Sequence, residues 1–401
     1  MSSLLPVAEA LQRVLAAARP VSETVELPLL KALGHVVSHD VVSAVDVPPS
    51  DNSAMDGYAL RAADAGYPLP VSQRIPAGAI GTRLEPRTAA RIFTGAPIPP
   101  GADAVVMQEN CDEVSGVLTV RGGVSAGLNI RMRGQDIRSG SVAVARGRIL
   151  RPQDLGLVAS IGCATVNVFR PLRVALLSTG SELMEPGSGE LPRGGIYNSN
   201  RYTLAGLLSA MHMECVDCGI VADNPEATAN ALVDAAARGD CVITTGGVSV
   251  GEEDHVKLQV ERLGRLDLWK LAIKPGKPLA FGSIGDKPFI GLPGNPTSVF
   301  VTFCLIARPF LLKMQGANED SPLSLHAQAD FAVTRPGDRQ EYLRVTLESG
   351  GHGLRALRHP DQSSGVLSSV SHSNALAVIP PGTTVAPGDS VEVIPLDFLV
   401  R

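Results

Sequence analysis

A chain of 401 residues is long enough for two to four domains of ordinary size. Lys and Arg number 35 against 40 Asp and Glu, a net charge of −5, and an apolar share of 44% excludes wholesale disorder. Aromatics make up only 4%, with Trp269 the single tryptophan; with the mild acidity, this argues against a nucleic-acid groove. No apolar run approaches the roughly 20 residues that span a bilayer, so no membrane association is expected. Six cysteines do not make a disulfide framework, and no N-x-[ST] sequon is present. A soluble, cytoplasmic protein is the expectation.

The opening M-S-S-L-L-P-V-A-E-A-L-Q-R-V-L has no basic leader and carries Glu9 and Arg13 inside its apolar stretch. It reads as an amphipathic helix with Pro6 in its first turn rather than a signal peptide. Between residues 46 and 140 short β-like runs (91–93, 104–109, 117–121) alternate with Gly/Pro turns such as T-G-A-P-I-P-P-G. This block reads as a mostly β domain inserted into a helical-mixed domain of residues 1–45 and 141–170. A helix is expected to start near Pro152, and the 141–170 stretch to pack back on the N-terminal helix.

From residue 171 the pattern becomes strand–loop–helix. Strands are expected at 173–179, 215–221, 241–245, 268–273, 279–282 and 289–292, with helices at 201–213, 225–238, 254–263 and 297–313. R-V-A-L-L-S-T is a continuous apolar strand of the kind buried on both faces. The 171–316 segment is thus a doubly wound, mostly parallel α/β domain, and residues 322–401 alternate strands and turns as a β-barrel-like domain. The fold class is α/β plus β, in several domains.

Chemistry is expected beyond the carboxyl ends of the strands. Four strand ends carry glycine-rich or polar loops: S-T-G-S-E-L (178–183), T-T-G-G-V-S-V-G-E-E-D-H (244–255), I-K-P-G-K-P (273–278) and G-L-P-G-N-P-T-S (291–298). Any one could be an ordinary turn or cap, but four at equivalent ends point to a phosphate-bearing small molecule held by backbone N–H groups and lysines. Lys270, Lys274 and Lys277 supply cations there. Glu182, Asp223 and Asp254 each follow a strand of this domain, whereas Asp56 and Asp136 lie in the β block. Hard oxygen ligands near phosphate suit Mg²⁺. Five carboxylates against three lysines leave the set negative, so either further cations join (Arg131, Arg133, Arg138) or some carboxylates carry protons. Cys215 and Cys218 form a lone C-x-x-C whose thiols fall on opposite strand faces, and His255 is expected to be a solvated helix-start residue. Walker A and G-x-G-x-x-G motifs are absent.

D-N-S-A-M-D-G-Y (51–58), F-T-G-A-P-I-P (93–99), V-V-M-Q-E (105–109), R-G-Q-D (133–136), S-T-G-S-E-L, I-Y-N-S-N-R (196–201), T-G-G-V-S-V-G-E-E-D (245–254), W-K-L-A-I-K-P-G-K-P (269–278) and G-L-P-G-N-P-T-S then carry a resemblance. In this order they resemble the molybdopterin molybdenumtransferases of the MoeA type, shared with the E domain of gephyrin; Q-S-S-G-V-L-S-S (362–369) is a weaker match in the tail. The resemblance implies Mg²⁺-dependent insertion of molybdate into adenylylated molybdopterin with release of AMP. It also implies an elongated homodimer whose cleft lies between the α/β domain of one chain and the inserted domain of the other. Asp56, Thr94, Asp136, Lys270 and Lys274 would be catalytic. Glu182 and Asp254 would hold the metal. The substrate would lie against Thr179, Gly180, Ser181, Asn198, Ser199, Asp223, Gly246, Gly247, Ser249, Gly251, Lys277, Pro293, Asn295 and Pro296. Ser181 and Asn198 stand where many members have Asp, which implies a changed metal-ligand set. A molybdopterin adenylyltransferase and apo-molybdoenzymes or their chaperones are the expected further partners. Two other readings stay open, the adenylyltransferase itself and a gephyrin-like scaffold, and so does tungsten in place of molybdenum.

Overall fold

The computed structural model describes residues 4–222, 224–247, 255–318, 322–351 and 353–400. Its centre is a six-stranded sheet: β1 (Arg173–Thr179), β2 (Glu214–Val221), β3 (Cys241–Thr245), β4 (Gly264–Lys270), β5 (Pro278–Ile284) and β6 (Lys287–Leu292), in the order β2-β1-β3-β6-β5-β4. The first four in that order run parallel, while β5 is antiparallel to both of its neighbours. Strand alternation explains the apolar runs. Val174, Leu176, Ile243 and Ile290 enter one core; Ala175, Leu177, Val242 and Phe289 enter the other. The first face is covered by α1 (Ser199–Ala210) and the second by α2 (Pro225–Arg238) and α3 (His255–Leu263).

The long apolar helix α4 (Pro296–Met314) also lies on the first face. By length and composition it could cross a membrane, which the search for apolar runs did not register; it is 94% buried within this fold, and so is a core helix. The chain leaves β1 for the edge strand β2, then crosses back over β1 to β3. This reversal opens a crevice at the carboxyl ends of β1 and β3.

Five further strands close into a barrel: β7 (Leu325–Ala329), β8 (Gln340–Gly350), β9 (Gly353–Arg358), β10 (Ala375–Ile379) and β11 (Ser390–Pro395), with β8 pairing both β9 and β10. Its interior is small and aliphatic, with Ala327, Val345, Ala356, Ala377 and Val393 among the buried residues. The barrel is joined to the α/β unit where Ile273–Lys274 pairs in parallel with Gln340–Glu341.

The N-terminal helix, Val7–Ala17, buries Val7, Ala10 and Val14 chiefly against α4, where the expected partner was the 141–170 stretch. The 141–170 stretch instead closes on 24–42. Thr24–Pro28 pairs with Thr165–Phe169, Val41–Val42 with Val142–Val144, and Ala32, Val37, Leu150, Val158 and Val168 pack between them. The physical reason is that those strands have apolar residues to bury, while the helix's single apolar stripe is already used on α4. Arg170 locks this unit to the sheet: its guanidinium donates to Asp240 at 2.7 and 2.9 Å and to Glu23 at 2.7 Å.

Residues 52–131 hold a separate mixed sheet of Ala104–Met107, Gly57–Leu60, Ala89–Ile92, Leu69–Ile75, Val117–Val120 and Cys111–Val114. Its neck is pinned where Val47 bridges Ile137.

Candidate active site

A cavity of about 700 Å³ occupies the crevice at the ends of β1, β3 and β6. Thr179 and Thr245 form its floor, and Gly246 continues it with φ 83°. A side chain at Gly246 would place its Cβ 2.7 Å from the Thr179 carbonyl, so only glycine permits this approach. The first loop folds back: Ile196 N–H donates to Glu182 O and Asn198 N–H to Met184 O, bringing Glu182 to the cavity wall. Asn198 is 1% exposed and caps α1, its side chain accepting from Arg201 N–H and donating to Glu185. Arg201 bridges Glu185 of this loop to Asp217 on β2, which fastens the excursion to the sheet. Burial pushes the Glu185 carboxyl up, but the Arg201 hydrogen bond and charge outweigh that and hold it below its ordinary value.

The lysine loop forms the opposite wall. Lys274 and Lys277 line the cavity, and Lys274 pairs with Glu341 at 3.1 Å. Leu5 and the Gln340 N–H tie this loop down through Lys270 O and Ala272. Lys270 itself is exposed at the end of β4 and does not line the cavity. Pro293, Asn295 and Pro296 close the site where α4 begins.

The barrel supplies residues that the sequence reading did not assign to the site: Arg339, Gln362, Ser363 and Ser364. Ser364 is bonded to the α/β unit by Thr297 N–H at 3.0 Å and Asn295 Nδ2 at 3.1 Å. Buried Arg344 shapes their loop, donating to Ser369, Tyr342 O and Ser363 O, while its main chain exchanges hydrogen bonds with Gln362. Desolvation pulls the Arg344 guanidinium down to about 10. The signal that could have found this wall was the Q-S-S-G stretch, noticed only as a tail motif.

Among the described residues the lining thus carries Lys274, Lys277 and Arg339 against one carboxylate, Glu182. Asp223, Ser249, Gly251 and Asp254 lie outside the described residues. Gly180 and Ser181 sit just behind Glu182 without lining the cavity; Ser199, Thr179 and Gly247 do line it. Contrary to expectation His255 is not solvated at both ring nitrogens: its Nδ1 is buried with no partner among the described residues. Cys215 and Cys218 fall on opposite faces of β2, packing against different cores, as strand alternation requires.

The inserted domain makes a second cluster. Thr94 donates to Asp56 through both its N–H (2.7 Å) and its hydroxyl (2.9 Å), which holds the Asp56 carboxyl below its ordinary value. The loop bearing Asp136 is knitted to the same edge, since Arg133 N–H donates to Asp51 and Ile130–Arg131 pairs with Asn52–Ser53. Neither Asp56, Thr94 nor Asp136 lines the cavity of its own chain.

A glycine-floored crevice with a net cationic described lining, at the switch point of a parallel sheet and walled by a second domain, is the ligand-binding arrangement of an α/β enzyme. The patterns described as "MoeA N-terminal region (domain I and II)", "Probable molybdopterin binding domain" and "MoeA C-terminal region (domain IV)" match residues 5–162, 175–313 and 326–396. The molybdopterin molybdenumtransferase of Haemophilus influenzae is 37% identical over 386 residues, covering 94% of this chain and 95% of that protein. Molybdopterin molybdenumtransferase 2 of Mycobacterium tuberculosis is 34% identical over 400 residues, covering 95% and 97%. The crystal structure of the molybdopterin biosynthesis moeA protein from Pyrococcus horikoshii OT3 aligns with a TM-score of 0.85 at 31% identity, over 98% of this chain and 100% of that one. The chain belongs to the molybdopterin molybdenumtransferase (MoeA) family, transferases of molybdenum cofactor biosynthesis.

Proposed function

We propose that this protein inserts molybdate into adenylylated molybdopterin and releases AMP, acting as a cytoplasmic homodimer with Mg²⁺. The observation that carries this reading is the cavity lining, three cations to one carboxylate among the described residues, at the strand ends where phosphates are held. Lys277 and Arg339 would take the oxyanion and the phosphate, with Lys274 released toward substrate from an exposed pair with Glu341. Lys270, outside the cavity in the single chain, would enter from its rim. Gly246 and Gly247 leave Thr179 and Thr245 open to the ligand.

Glu182, an exposed hard-oxygen donor on the cavity wall, fits Mg²⁺, which takes one or two carboxylates and completes its shell with water and substrate phosphate. Asp254 would be the second ligand. When bound, the metal would neutralise charge on the pyrophosphate. Asp56, kept ionised by Thr94, and Asp136 would take protons from the incoming dithiol of the pterin and pass them to the oxo groups, which leave molybdate as water. That these two lie away from their own chain's cavity supports a site completed by a second copy.

The test is to give the purified protein adenylylated molybdopterin and molybdate and to follow AMP release with and without Mg²⁺. AMP formation that needs molybdate and Mg²⁺ supports the reading. Adenylylation of molybdopterin from ATP by this chain alone would overturn it in favour of the adenylyltransferase.

A further inference from the structure

The inserted domain carries a pair of guanidinium groups that neither the sequence reading nor the proposed chemistry uses. Arg91 is half-buried, with its guanidinium 5.1 Å from the Tyr58 ring centroid and 4.8 Å from that of Phe93. It donates to Gly57 O at 3.0 Å and to Gln108 Oε1 at 2.6 Å, both uncharged acceptors. Arg74, which is exposed, stacks on the same Phe93 ring at 4.5 Å. No carboxylate among the described residues comes within ion-pair distance of either arginine. The charge of Arg91 is nevertheless felt at Asp56, whose carboxyl it helps to keep ionised after the two Thr94 hydrogen bonds.

Two of the three arginines expected to offset the surplus of carboxylates are turned to Asp46 instead. Arg133 is committed to Asp46 at 2.5 Å, and the charge of Arg138 acts on that same Asp46. Arg91 is different in kind. Two hydrogen bonds and two ring faces fix its plane, and they use only two of the five N–H donors of a guanidinium. A held cation with unspent donors and no acidic partner, next to an exposed threonine and a carboxylate, is arranged for a tetrahedral oxyanion.

We propose that Arg91 and Arg74, neighbours across paired strands and both stacked on Phe93, form a clamp for a phosphate group beside Asp56 and Thr94. The ligand is a phosphate ester or anhydride, and Arg91 is a binding residue of this half of the site. The identification of that phosphate with the adenylylated pterin rests on the reading above; the clamp itself does not.

The experiment titrates the full-length protein and its Arg91→Gln and Arg74→Gln variants with AMP, inorganic pyrophosphate, adenosine and an oligoglutamate peptide, by calorimetry. Both variants should weaken AMP and pyrophosphate about tenfold or more, Arg91→Gln the more of the two, and leave adenosine unchanged. Arg91→Lys should recover part of the loss, since it restores the charge without the fork. Arg74→Gln, at an exposed position, guards against a folding defect. Equal affinity for both phosphate probes in wild type and both variants would overturn the proposal. So would a loss confined to an oligoglutamate peptide, which would make the patch an acidic-protein contact. If the wild type binds AMP through these arginines yet releases none from adenylylated molybdopterin, the reaction assignment fails and the clamp stands.

Discussion

The strand-end cleft of the α/β domain and the loop edge of the inserted domain build their candidate sites by different means. The cleft uses backbone: left-handed glycine at Gly246, prolines at the start of α4, and lysines on a loop tied to Leu5 and Gln340. The inserted edge uses side chains locked by other side chains, Asp56 by Thr94 and Arg91 by Tyr58, Phe93 and Gln108. In charge they differ. The cleft's described lining is net cationic, whereas the edge sets Asp56 and Asp136 beside Arg91 and Arg74. Neither is a full catalytic set, and the contrast can be tested by disabling each alone.

The largest effect is expected at Lys277. Lys277→Met should lower kcat/KM for AMP release about 10²–10³-fold at unchanged thermal stability, as removal of a preorganised charge does. Asp56→Asn should cut kcat about 10²-fold, and mixing its subunits with Lys277→Met subunits should recover activity absent from either alone. Failure of the mixture to recover any activity would show that both halves act within one chain.

A stability effect of similar energy is expected away from both sites. Asp240→Asn leaves Arg170 with exposed Glu23 as its remaining carboxylate partner and should cost about 3 kcal/mol by denaturant titration near neutral pH. Burial pushes the Asp240 carboxyl up, but Arg170 and the Arg173 N–H overcome this and leave it below its unfolded value. Its stabilisation is therefore complete above about pH 4 and lost as pH falls further, so the gap between wild type and variant should close under acid.

Gly246→Ala forces a Cβ against Thr179 O and a positive φ, and should destabilise by about 1–3 kcal/mol while weakening substrate binding. The smallest effect should come from Arg201→Met. With the bridge from Glu185 to Asp217 cut, the excursion through exposed Arg193 should be nicked by trypsin there, at little change in global stability.

The α/β half of this comparison was legible in the sequence because its signals are local. Strands such as R-V-A-L-L-S-T are buried on both faces, and each ends in its own glycine-rich loop. Helix Pro225–Arg238 and strand Cys241–Thr245 fall where the pattern puts them. The barrel wall was not legible as part of the site, because Arg339 and Gln362–Ser364 reach the cleft through a strand pairing between residues 273–274 and 340–341, far apart in the chain. Lys270 looked equivalent to Lys274 and Lys277 in spacing, but the turn after β4 points them differently. On the inserted domain the motif D-N-S-A-M-D-G-Y marked Asp56. Nothing in spacing marked Arg91, whose role depends on rings and carbonyls that only folding assembles.

The seam between barrel and sheet has one more implication. Because Ser364 is laced to Asn295 and Thr297 while Arg344 anchors the same loop from inside the barrel, the pocket's width is set by how the two bodies are hinged. Substitutions deep in the barrel, remote from any reacting atom, should therefore surface as altered substrate selectivity. Screens for such variants have reason to sample strands that never meet the ligand.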